Sequence, residues 1–202
     1  MKKNLISTII AIVTIATIST SCVSVGEFGK VSFATDQTWT VGNQIWSDAV
    51  QATECNKVTF VGRVGDQYVA DCRSNPNHKG DLFSWVAVAT FGEELCPKPW
   101  RVPTKQDFID LDIALGGEGI YVMHAFFRNV PDKYISNWGA VFGGFCESNG
   151  SLDSQGDRGI YWSQSETGGY AYSLCVAKNF FAYPHSLEEK SKGFTLRCVK
   201  NN

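Results

Sequence analysis

Leu95-Cys-Pro-Lys-Pro-Trp-Arg-Val-Pro-Thr104 is the stretch on which the fold turns. Its run Cys96-Pro97-Lys98-Pro99 stops any helix that enters it, because proline lacks the ladder N–H and pushes the residue before it out of helical space. Pro103-Thr104 then opens a new helix. The Thr104 hydroxyl can cap its first turn, and Asp107 stands three residues on, in the place of a capping box. Phe108, Leu111, Ile113 and Leu115 supply an apolar face, and Gly116-Gly117 ends the element. Upstream, residues 83–95 are apolar and free of proline, which predicts one helix ending at the proline run.

Strand signals lie on both sides. Val31, Phe33, Trp39, Val41 and Ile45 fall on odd positions, and Gly42-Asn43 marks a turn, so residues 31–46 predict a β-hairpin. Residues 55–80 hold Cys55, Cys72, Pro76 and several Asn and Gly. They predict a loop-rich excursion around a short strand at 58–61, tied down by a local disulfide. Residues 118–158 interleave Gly and Asn with Tyr121, Phe126, Phe127, Tyr134, Trp138, Phe142 and Phe145, a long, aromatic, irregular region. Strands at 159–164, 170–177 and 193–199 follow and predict a terminal antiparallel sheet. The expected class is α+β, with two helices packed on antiparallel sheets and a long irregular loop region.

The N-terminus carries an address. Lys2 and Lys3 precede an apolar stretch from Leu5 to Ile18, then Ser19, Thr20, Ser21 and Cys22, the order of an export signal. The stretch is shorter than the ~20 residues that cross a bilayer. Small residues ending at a cysteine resemble a bacterial lipobox, which implies cleavage before Cys22 and its acylation. The expected organisation is a signal peptide at 1–21, a lipid-anchored tether at 22–30 and one domain at 31–202. Val23 after Cys22 implies outer-membrane delivery by the same resemblance.

At 202 residues the chain suits a single domain, and 44% hydrophobic against 19% charged residues excludes a disordered tail. Loss of Lys2 and Lys3 leaves 16 basic against 20 acidic side chains, a charge of −4, the wrong sign for a nucleic-acid backbone binder. Setting Cys22 aside leaves six cysteines, Cys55, Cys72, Cys96, Cys146, Cys175 and Cys198, enough for three disulfides in an oxidising compartment. No pair has C-x-x-C spacing, and His78, His124 and His185 are scattered, so zinc is not expected.

Taken together, the motifs resemble the Fibrobacter succinogenes major paralogous domain family over residues 41–200. The pieces are Val41-Gly-Asn-Gln-Ile-Trp46, Leu82-Phe-Ser-Trp85, the 95–104 stretch, Ala114-Leu-Gly-Gly117, Asn149-Gly-Ser151, Tyr161-Trp-Ser-Gln-Ser-Glu166 and the closing Gly193-Phe-Thr-Leu-Arg-Cys-Val-Lys200, in family order. The chain departs from the family after Trp46, where it reads Ser-Asp-Ala-Val50. The resemblance implies a C-type-lectin-like fold. It also implies that Cys96 pairs with Cys198, joining first helix to last strand, and Cys55 with Cys72, which leaves Cys146 for Cys175.

Catalytic signals are sparse. Neither G-x-S-x-G nor H-E-x-x-H occurs, and Asp107, Asp110 and Asp112 fall on a helix, where solvated faces are commoner than sites. Arg101-Val-Pro-Thr104 is similar to a segment of formylglycine-generating enzymes, which makes a cysteine-oxidising enzyme on the same scaffold the alternative function. No cofactor is expected. Calcium is the remaining option, because Glu147, Asn149, Asp153 and Asp157 place oxygen ligands in one Gly-rich loop, although the lectin-type calcium motifs are missing. Trp85, Trp100 and Trp162 are expected in the core, and Arg101 and Arg197 in salt bridges. Trp138, between Asn137 and Gly139, is the candidate platform for a ligand, with Tyr134, Asn149 and Asp153 adding polar contacts; the alternative is that its ring pins the loop to the core. The expected function is a non-catalytic binding or surface-structural domain in the cell envelope. It would be held to the membrane through its N-terminal lipid, with a glycan or protein as ligand and no nucleic acid.

Overall fold

The computed structural model describes residues 28–55, 59–120, 122–123, 130–178 and 180–202. The signal segment and Cys22 lie outside the described residues. Packing begins at Phe28, inside the expected tether: its ring meets Phe83 and Phe91 edge-on, and its carbonyl accepts from Glu54 N.

The first part of the chain forms β1 (Val31–Phe33), β2 (Trp39–Val41) and β3 (Gln44–Ala52). β2 and β3 are the expected hairpin, with Val41 opposite Gln44 and Gly42 at φ +59 in the first turn position, where only glycine turns without strain. The following excursion holds β4 (Arg63–Val64), β5 (Gln67–Tyr68), β6 (Cys72–Ser74) and β7 (Asp81–Ser84). The described residues of the strand expected at 58–61 are not in a strand. Instead the Asp71 carboxylate takes the N–H groups of Val61 and Gly62 and shapes a loop.

The helix expected at 83–95 is broken up. Phe83 belongs to β7 and pairs with Phe194. Ser84 then caps α1 (Trp85–Thr90) by accepting from Ala87 N, and α2 (Gly92–Leu95) follows. Glycine at the junction carries the largest backbone entropy cost in a helix interior, which favours the break. α3 (Lys105–Ala114) is the helix the sequence announces, with both halves of its capping box made between Thr104 and Asp107.

The region expected to be irregular contains β8 (Val122–Met123), α4 (Val130–Trp138), β9 (Phe145–Cys146) and β10 (Leu152–Asp153). The chain closes with β11 (Arg158–Thr167), β12 (Tyr170–Ala177), β13 (Phe181–Glu189), β14 (Gly193–Thr195) and β15 (Arg197–Asn201). Among the described residues four short helices therefore stand where two were expected, and sheet predominates.

Among the described residues two large open sheets organise the domain, beside the small β4–β5 pair. In one, β3 lies between β1 and β15 and also pairs β2. The other runs β10-β9-β14-β11-β12-β13-β8, with β7 pairing β14 and β6 pairing β7. Only Leu196, fully buried, separates β14 from β15, so the last strands step directly from one sheet to the other. The Leu196 carbonyl accepts from Val50 N and closes the seam. Phe83, Trp85, Trp162, Phe194 and Leu196 fill one core; Trp46, Phe108, Tyr134, Trp138 and Tyr161 fill another.

Candidate functional site

The cysteines sort into two groups. Cys55–Cys72 and Cys96–Cys198 are bridged, at separations of 17 and 102 residues. Cys146 and Cys175 are not the third pair: both are free and buried. The sheet order explains this, because β14 and β11 lie between β9 and β12 and hold the two residues ~14 Å apart at ~4.8 Å per strand. A disulfide needs Cα atoms within ~7 Å. Burial pushes both thiols up to about 12, which removes the thiolate from neutral chemistry.

Two of the expected contact residues are core. Trp138 and Tyr134 are 0% exposed, which corrects the reading of Trp138 as a surface platform. α4 turns that segment inward: Trp138 lies edge-on to Trp46, Tyr134 and Tyr161, and the Tyr134 hydroxyl donates to buried Asp112 at 2.8 Å. Asp112 also accepts from Gly119 N, so this helical carboxylate is a structural tie rather than a solvated one.

Arg197 sits inside the same core, 1% exposed, its guanidinium carbon 4.2 Å from the Trp39 ring centre and 4.1 Å from that of Trp138. It donates to the carbonyls of Ser47 and Trp138, each at 2.6 Å. The salt bridge expected of it is replaced by two aromatic faces and two backbone acceptors. Burial lowers its pKa to about 10, against the attraction of Tyr161 and Asp48. Arg101 does make a salt bridge, fork to fork with Asp107 at 2.6 and 2.8 Å. For Asp107, burial works upward, but the Arg101 guanidinium and the Thr104 hydroxyl and N–H outweigh it and hold the carboxyl below its ordinary range.

Three of the four loop side chains expected as calcium ligands are engaged by other partners. Asn149 Oδ1 accepts from Ser151 N and Oγ, Asp153 accepts from the Ser154 hydroxyl, and Glu147 lies 3.8 Å from Lys192 Nζ. Among the described residues no three His, Cys, Asp or Glu side chains group as a metal site.

Asn149 does line a recess. The disulfide-tied excursion docks on the 143–151 loop through Asn75, whose side-chain amide donates to the Gly143 carbonyl at 2.8 Å. At this seam Cys55, Thr59, Phe60, Arg73, Ser74, Pro76, Asn149 and Gly150 enclose a cleft of about 470 Å³. Gly150, at φ +84, closes the Glu147–Gly150 turn beside the Arg73 guanidinium. Arg73 is not among the residues the sequence singles out; its one signal is an arginine placed directly after a bridged cysteine, which fixes its backbone at the mouth of a loop.

These features define a sheet-rich α+β domain, braced by two disulfides, with an open cleft between two loops. The chain belongs to the Fibrobacter succinogenes major domain family, whose model matches residues 34–200. Comparison with curated proteins and with solved structures found no match.

Proposed function

We propose that this chain is a lipid-anchored protein of the cell envelope, delivered to the outer membrane, whose C-type-lectin-like domain binds a ligand or builds the surface without catalysis. The observation that carries the reading is how the cysteines are spent. Two bridges suit an oxidising compartment outside the cytoplasm, as the export signal and Cys22 require. The pairing of β15 with β3, and the bridge from the end of α2 to β15, support the lectin-like assignment, since they join the two ends of the domain and tie an early helix to the last strand.

The formylglycine-generating alternative needs two reactive cysteines near the C-terminus. Of the candidates there, Cys198 is bridged and Cys175 is a buried thiol pushed up to about 12, which favours the binding reading. The test is a glycan and protein array with the purified chain, with and without calcium, beside an oxidation assay on cysteine-containing peptides. Saturable binding without turnover is expected. Turnover of the peptides would overturn the reading.

A further inference from the structure

Arg73 is partly buried in the seam cleft, on β6 directly after bridged Cys72. Among the described residues no hydrogen bond or ion pair engages its guanidinium, although a fork of N–H donors in a recess ordinarily finds an acceptor. The nearby acids are already committed. Asp71 accepts from the Val61, Gly62 and Cys72 N–H groups, and Glu147 faces Lys192. Across the cleft, Asn149, which lines the recess, spends its side-chain oxygen on Ser151, and its amide nitrogen has no partner among the described residues.

We propose that the cleft between the Cys55–Cys72 excursion and the 147–151 turn binds the carboxylate of a hydroxylated sugar acid, a hexuronate unit, through Arg73 and Asn149. This rests on the reading that the domain binds rather than catalyses. The guanidinium fork matches a carboxylate in two parallel bonds. Asp71 and Glu147 both act on Cys146, as Arg73 does, so the neighbourhood carries negative as well as positive charge and a monoanion suits it better than a phosphate dianion. The remaining accessible groups are the Asn149 amide and the exposed Thr59 hydroxyl, which suit sugar hydroxyls, and about 470 Å³ admits one ring. The disulfide at one wall and the Asn75 tie at the other hold this geometry ready before a ligand arrives.

The experiment is saturation-transfer NMR on the full chain in detergent, titrated with sodium glucuronate, with glucose and N-acetylglutamate in parallel. Glucuronate should saturate and outbind both controls. Arg73→Gln should weaken it about tenfold or more, the scale of one charge-assisted bond. Asn149→Asp, which keeps the oxygen that Ser151 uses but sets a charge against the carboxylate, should do the same with an unchanged melting temperature. Glucose binding as well as glucuronate, N-acetylglutamate doing so, no glucuronate binding, or full binding by both variants would each overturn the proposal. Array ligands found despite any of these results would leave the binding function standing and remove only this site.

Discussion

Replacing Trp138 with alanine should be among the most damaging single changes in the domain. The ring is fully buried and touches Trp46, Tyr134 and Tyr161 edge-on, and it covers one face of the Arg197 guanidinium. Truncating a buried Trp costs about 3–5 kcal/mol through lost transfer energy and the cavity left behind. The change also strips one aromatic face from a buried cation, an interaction of up to ~2 kcal/mol when desolvated. Arg197 keeps its bond to the residue 138 carbonyl and the Trp39 face, so only part of that is lost. The sum is about 4–6 kcal/mol, a large share of the ~5–15 kcal/mol that holds a domain together. At ~2–4 °C per kcal/mol for a chain of this size, the melting temperature should fall by roughly 8–24 °C. Urea unfolding of the oxidised protein followed by circular dichroism measures it, with Trp138→Phe as the milder control. A loss under about 1 kcal/mol for the alanine variant would refute the placement of Trp138 in the core.

Other perturbations have equally definite outcomes. Removing Cys96–Cys198, which closes 102 residues, should cost about 4.7 kcal/mol by loop entropy, and removing Cys55–Cys72, which closes 17, about 3; unfolding of the two double-alanine variants should give that order. Cys146 and Cys175 should be silent to a thiol reagent in the native protein, and denaturation should release two additional thiols; fast native labelling of either would contradict their burial. Asp107 has a folded pKa below the ordinary 3.8, so its contribution is present above that value and is lost as pH falls through the folded one. Asp107→Asn should therefore lower stability at neutral pH and flatten the acid limb of a stability-versus-pH curve. Asp71 and Asp81 work the other way, because burial raises them over the pull of their backbone and side-chain donors; they cost stability above their raised values and release it as pH falls.

Much of the scaffold was legible because its signals are local. The capping box of α3 and the Gly42 turn of the β2–β3 hairpin each depend on residues within a few positions of one another. What failed depended on distant partners. β13 carries Pro184, which reads as a strand breaker. In the sheet it falls where the pairing with β12 shifts register between Ser173 and Cys175, so its missing N–H interrupts no regular ladder. α4 was hidden because Asn137 and Gly139 look like loop, whereas Gly139, at φ +63, is the left-handed residue that ends the helix just after Trp138. The separation of Cys146 from Cys175 depends on strand order, which no spacing in the sequence encodes. The cleft at Arg73 arises where two loops far apart in the chain meet through Asn75 and Gly143; Asn149 was visible in advance as a loop residue, but its partner across the recess was not.

The central claim, a domain held at the envelope by an acylated Cys22, is tested most directly by metabolic labelling with palmitate in the native host. The wild-type chain should carry the label, run at the size of a chain that begins at Cys22, and partition with membranes. Cys22→Ala should lose both label and processing. An unlabelled, fully soluble wild-type protein would contradict the account.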